Sequence, residues 1–155
     1  MLSEDRYADA DERIYGDVIG LPLVAWVSNI RKHEASRVSW HEHPGFELLF
    51  VINGSTTYKF QDGATVRLSG YQFLVIPPRD IHCGQDDIRM PSTLCGIRLA
   101  PSPKRWPAHA DFTCDQWSRI LERLQACPRV VRPIPKFLHS VVSEMAREID
   151  FFRSG

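Results

Sequence analysis

Charge of one sign is missing. Nineteen lysines and arginines meet nineteen aspartates and glutamates, so the formal net charge is zero. Proteins that grip nucleic acid unaided carry a basic surplus for the phosphates, and this chain has none. Long apolar runs are missing too, which excludes a spanning helix. The first residues lack the basic and apolar stretches of a secretory signal. The expected compartment is the cytoplasm, with no membrane partner. There the four cysteines, Cys83, Cys95, Cys114 and Cys127, stay reduced. No two of them are spaced Cys-x2-Cys, which argues against a structural zinc knuckle. Cys83 adjoins His82 and reads as a small apolar filler or as a stray ligand.

What remains is an ordinary soluble composition, 43% apolar and 25% charged, over 155 residues. That is one domain, long enough to bury about two-thirds of its unfolded surface.

One stretch stands out, from His41 to Gly54. His41 and His43 sit two residues apart, and Glu47 follows four residues after His43. Imidazole and carboxylate are donors that divalent transition metals accept. Side chains at i and i+2 share a strand face, so the two histidines lie roughly 6.6 Å apart along it. Glu47 has the same parity, but on a straight strand it would lie roughly 13 Å further on, out of reach. Pro44-Gly45 breaks the strand and lets the next one fold back, with Glu47 opening it beside the histidine pair. Asn53-Gly54 is then expected to close that strand in a hairpin-type turn. A fourth donor, His82, follows Ile76-Pro77-Pro78.

Along the chain, residues 1–20 form an acidic arm with Glu4, Asp5, Asp9, Asp11, Glu12 and Asp17 around Tyr7, Ile14 and Tyr15. A partly disordered terminus is the plain expectation. Strands are expected at 21–30, 36–43, 46–52, 55–61, 64–68, 71–76 and 93–100, with a tight turn at Asp62-Gly63. The run after Glu47 is continuously apolar, as in a strand covered on both faces. Seven or more short strands mean a sandwich or a barrel, and periodicity alone does not choose. Pro101, Pro103 and Pro107 mark a stiff linker. Helical spacing follows at 111–125 through Trp117, Ile120, Leu121 and Leu124, and again at 136–152. In the second helix Leu138, Val142, Met145, Ile149 and Phe152 form a heptad stripe. Such a stripe packs on the chain's own barrel or forms a homodimer seam.

The pattern His41-x-His43-x3-Glu47-x6-Gly54 resembles the first motif of the cupin superfamily. Gly70, Pro77, Arg79 and His82 match the second motif in part. The Gly-to-Pro spacing is one residue long, and Arg79 stands where a glycine is usual. From Phe46 to His82 the chain looks most like the N-terminal sensor domain of AraC-type transcription regulators. The resemblance implies a mainly β fold, a cupin double-stranded β-helix (jelly roll) with a C-terminal pair of α-helices. It divides the chain into an arm (1–20), a barrel (21–100) and a Pro-rich linker with a helical dimerisation segment (101–155). It also implies that the arm, with Tyr7 and Tyr15, folds over bound ligand, and it favours the seam over self-packing. In that family DNA contact belongs to a further domain, absent from these 155 residues.

His41, His43, Glu47 and His82 are therefore the expected ligands of a divalent transition metal (Zn, Ni, Fe or Mn), in a barrel that binds a small-molecule effector. Without metal the same side chains line a polar pocket. The other outcome is a free-standing metal-dependent cupin enzyme, a dioxygenase or isomerase. No separate acid–base pair or nucleophile is evident. Arg98 is a candidate for an anionic ligand or a surface residue. Glu42 is expected in solvent, and His33, His109 and His139 on the surface or in packing.

Overall fold

The computed structural model describes residues 13–101 and 106–155. Most of the acidic arm, including Tyr7, and Pro103 of the linker lie outside the described residues. Ten strands and two helices follow in order: β1 (Arg13–Tyr15), β2 (Val24–Lys32), β3 (Ser36–Arg37), β4 (Glu47–Phe60), β5 (Thr65–Ser69), β6 (Gln72–Ile76), β7 (His82–Gly84), β8 (Ile88–Arg89), β9 (Ser92–Leu99), α1 (Cys114–Gln125), β10 (Arg132–Pro133) and α2 (Lys136–Ser154). All pairings are antiparallel. The main sheet runs β1-β2-β9-β4-β6-β10. The fold is the expected mainly-β jelly roll with two C-terminal helices.

β4 organises it. From Glu47 to Gly54 this strand pairs with β9, and over Glu47–Val51 with β6 on its other edge. From Ser55 to Phe60 it pairs with β5 and β7 instead. One strand thus serves both layers of the barrel. Here the structure corrects the sequence reading, because Asn53-Gly54 is not a hairpin turn. Gly54 has φ +80 and sits within continuous strand, next to a register shift between Val51 and Asn53. Its flank lies against β9, where a Cβ would meet the Pro91 carbonyl oxygen at 2.6 Å. A glycine in the left-handed region turns a strand from one layer to the next as readily as it reverses one. Asp62-Gly63 does form the expected turn, joining β4 to β5.

Side chains of alternating parity divide between the faces. Leu49, Val51, Tyr58, Phe60, Leu68, Leu74, Ile76 and Leu94 fill the barrel. On the outside of the same sheet, Leu23, Phe46, Val75 and Leu99 receive Trp117 of α1. Ile14, Val27 and Cys95 receive Val142, Ala146 and Ile149 of α2. Both faces of β4 are therefore covered, which is why its first half reads as unbroken apolar sequence. Helix α1 starts at a capping box, with the Thr113 hydroxyl accepting from the Gln116 N–H and the Gln116 side chain accepting from the Thr113 N–H.

The heptad stripe of α2 faces its own barrel. Val142 and Ile149 are buried there, and Leu138 and Met145 pack half-buried beside them. Of the five, Phe152 alone is exposed, at 52%. Of the two outcomes expected for this stripe, the burial of Val142 and Ile149 is packing on the chain's own sheet. Asn29 Nδ2 donates to the Ala146 carbonyl at 3.2 Å, and Arg31 pairs with Asp150 at 3.1 Å, so polar contacts reinforce the docking. Among the described residues, no helix is long and apolar enough to cross a membrane.

Candidate metal centre

His41, His43, Glu47 and His82 converge inside the barrel. One ligand atom from each lies within 4.8 Å of all the others, and all four residues are buried. The local backbone explains the convergence. His41 does not belong to a long strand, since the expected strand at 36–43 shrinks to Ser36–Arg37. It makes an isolated antiparallel bridge with His82 instead, the two residues exchanging N–H···O bonds of 2.9 Å. Two positions on, His43 presents its carbonyl to the Arg79 N–H at 2.7 Å. Pro44-Gly45 then turns the chain, and Glu47 opens β4 as expected.

Arg79 occupies the usual glycine position of the second motif, and its φ is +63. The conformation that favours glycine is kept although the residue is not. Its side chain reaches outward to Glu42 at 3.1 Å, so Glu42 is paired rather than simply solvated. Arg79→Val is expected to lower stability by about 1–2 kcal/mol, because a β-branched residue is strained in the left-handed region. Arg79→Gly should be nearly neutral. Thermal unfolding of the two variants is the check, and equal losses would rule out backbone strain as the cause.

Ring orientation is set from outside the cluster. His41 Nδ1 lies 2.7 Å from the Ser39 carbonyl and His82 Nδ1 2.7 Å from the Asp80 carbonyl. A carbonyl only accepts, so each Nδ1 carries the proton and each Nε2 turns a lone pair inward. This is the tautomer in which histidine ligates a metal through Nε2. The Glu47 carboxylate stands among these rings, 3.2 Å from His43 Nε2 and 3.4 Å from His82 Nε2. The Glu47 Oε2 and His82 Nε2 atoms are buried without a well-formed hydrogen bond. A lone pair facing a carboxylate oxygen in a dry interior calls for a cation between them, so the donor set fits a divalent ion.

The electrostatics agree in direction. Burial, reinforced by the neighbouring charge of His82, pushes the His41 pKa down to about 3, with Glu47 opposing. Burial alone would raise the Glu47 carboxyl, but the His43 and then the His82 imidazole beside it hold it well below the usual range.

Other residues were less legible in the sequence. Arg98 lies on β9 directly opposite Glu47 and is half-buried, with Nη1 3.3 Å from His43 Nδ1 and its guanidinium 5.5 Å from the Trp26 ring centroid. It borders the site rather than the surface. Trp26 reaches His43 edge-on at 6.2 Å between centroids, and Tyr58 and Phe60 each flank His82 at 5.9 Å. Alternation on β2 and on the second half of β4 was the signal for these rings, but parity alone does not say which face is inside. Cys83 points away from the cluster and is a buried filler, its thiol pushed up by burial first of all. His33 and His109 are exposed, while His139 caps the Ile134 carbonyl at 2.8 Å.

A family model described as the AraC-like ligand binding domain matches residues 29–151. No curated protein matches the chain. Among solved structures it is similar to a cupin protein from Bacteroides fragilis, with 14% identity, 72% of this chain and 94% of that chain covered, and a TM-score of 0.44. It is also similar to an oxalate decarboxylase of Bacillus subtilis, with 15% identity, 79% of this chain covered and a TM-score of 0.46. This chain spans only 37% of that enzyme, a protein with Mn(II) centres. A third is a cupin-2 domain protein from Shewanella frigidimarina, with 22% identity, 49% and 67% covered, and a TM-score of 0.34. With most of its length matched by the family model, the chain belongs to the AraC-like ligand-binding domain family.

Proposed function

We propose that this chain is the effector-sensing domain of an AraC-type transcription regulator whose barrel holds a divalent transition metal. The observation that carries the reading is the buried convergence of three imidazoles and one carboxylate, two of the rings already oriented by backbone carbonyls. His41, His43, Glu47 and His82 would hold the ion. A bound ion of this kind supplies a Lewis-acidic point for an oxygen-bearing small molecule. The chain's own residues would do the rest. Arg98 borders the pocket with positive charge, Trp26 and Tyr58 give it aromatic walls, and β4 ties it to the sheet on which both helices sit.

Sensing requires that occupancy be felt at the helices. α2 packs on β2 and β9, the strands that also carry Trp26 and Arg98, so a shift in the barrel reaches α2 through one sheet. A homodimer would use the outward face of α2, where Phe137, Val141, Phe151 and Phe152 are exposed. DNA would be met by a domain outside these residues.

Two measurements test the reading together. The purified protein is supplied with Zn, Fe, Ni or Mn, and bound metal is counted by mass spectrometry beside the His41→Ala/His43→Ala variant. Amide exchange of α2 is followed in the same samples. One equivalent of metal, lost in the variant, with slower exchange in α2 on loading, is the expected result. No metal under any of these conditions would overturn the metal centre. Metal bound with no change at α2 would count against sensing and in favour of a metal-dependent enzyme.

A further inference from the structure

Arg129 lies in the connection between α1 and β10, far in sequence from the barrel motifs. Its backbone is left-handed, with φ +55, a conformation that costs a non-glycine residue about 1 kcal/mol. Such a residue persists only when its surroundings hold it there. Four contacts do. Its N–H donates to the Val75 carbonyl at 2.9 Å. Nε donates to Asp80 Oδ2 at 2.6 Å, and Nη2 donates to Asp80 Oδ1, completing a two-pronged fork. Nη1 donates to Asp62. The guanidinium plane also lies 4.2 Å over the Phe60 ring.

Two of these partners touch His82. The Asp80 carbonyl takes the Nδ1 proton of His82, and the Phe60 ring packs 5.9 Å from the imidazole. The Asp80 side chain is only 11% exposed. A half-buried, bidentate arginine–carboxylate pair fixes both groups in direction as well as distance. With its side chain fixed, the Asp80 backbone has little freedom to turn its carbonyl away. By contrast the Asp62 side chain is 57% exposed, and its backbone carbonyl is not the one that His82 Nδ1 meets.

We infer that Arg129 is a positioning residue for the barrel site, holding His82 in its Nε2-inward tautomer through the backbone carbonyl of Asp80. The consequence for metal rests on the reading of His82 as a ligand; the consequence for the ring does not. Through Asp80 and Phe60, Arg129 also links the segment between the two helices to that ring.

The test uses the whole chain with Arg129→Gln, Asp80→Asn, the double variant and Asp62→Asn. Two quantities are read. The ring ¹⁵N shifts of His82, without metal and with chelator, report which nitrogen carries the proton. Titration with Zn or Mn reports affinity. The wild type should show a fixed Nδ1–H tautomer, and Asp62→Asn should match it. Arg129→Gln and Asp80→Asn should each let His82 sample both tautomers and weaken metal affinity about 10–100-fold. The double variant should be no worse than the poorer single one, because both remove the same fork. If Arg129→Gln does not fold, Asp80→Asn carries the same test with the backbone carbonyl intact. Should the wild type bind no metal, the metal reading fails and the ring shifts still decide this inference. A folded Arg129→Gln or Asp80→Asn with an unchanged His82 tautomer overturns it. So does a wild type already mixed in tautomer.

Discussion

Gly45→Ala is expected to cost about 3 kcal/mol or more, among the largest effects of any single methyl in this chain. A Cβ on Gly45 would stand 2.0 Å from the Leu99 carbonyl oxygen and 3.1 Å from its carbon. Both are backbone atoms, so no rotamer change relieves the clash. The Leu99 N–H is also bonded to the Phe46 carbonyl at 2.8 Å, which pins β9 against this turn. Yielding would mean moving β9, a strand paired with both β2 and β4. Gly20→Ala is the useful contrast. Nothing lies within 4 Å of a Cβ there, so only the left-handed backbone at φ +73 opposes it, worth about 1 kcal/mol. Urea unfolding of the two variants should separate them widely. Equal midpoints would mean that the turn between His43 and Glu47 does not approach β9 as described. Metal uptake should fall with Gly45→Ala too, since the same turn aims Glu47 at the histidines.

The second large effect is acid sensitivity. His41 is held near pKa 3 in the folded protein, chiefly by burial and then by His82, whereas an unfolded histidine titrates near 6.5. Between those values the unfolded chain binds a proton that the folded chain refuses. Stability is therefore full above about pH 6.5 and falls as the pH drops toward 3. The full difference is on the order of 5 kcal/mol for the metal-free protein. Glu47 acts in the same sense at lower pH. Its carboxyl is held well below the usual range, so it contributes stability above the ordinary carboxylate pKa that acid removes. Urea midpoints in chelator at a series of pH values should slope downward from pH 6.5, and His41→Gln should flatten the upper part of that slope. A wild-type profile that is level between pH 7 and 5 would show that His41 accepts its proton in the folded state.

How much of this was legible beforehand depended on whether a residue's role is written in its neighbours. His41, His43 and Glu47 lie in one short run, and the parity argument with the Pro44-Gly45 break was enough to bring them together on paper. His82 was tied in by Pro77 alone, and the structure joins it to His41 backbone to backbone. Arg129 had no such signature. It sits between prolines in what reads as a connection, and only the folded chain puts it beside Asp80. Asn53-Gly54 misled because a left-handed glycine looks the same in a sequence whether it reverses a strand or bends one. The α2 stripe is ambiguous in another way. Its period states that one face is apolar, and it is silent on whether the covering surface is the chain's own sheet or a second molecule. Resemblance tipped that choice towards a seam, while in the structure Val142 and Ile149 are buried against the chain's own sheet.

Consider finally what β4 means for a gene that drifts. Its first residue supplies Glu47 to the cluster, and its last, Phe60, lies opposite His82 in register. One added codon anywhere between would send every later side chain of the strand to the other face, exchanging its barrel-facing and outward-facing sets and shearing Phe60 away from His82. Single-codon insertions scattered along the reading frame should therefore leave a silent gap across the codons of β4. Survivors should cluster instead at Gly20 and at Asp62-Gly63, where the chain has open space to absorb them. The strand that joins the two layers is also the part of the message least free to change its length.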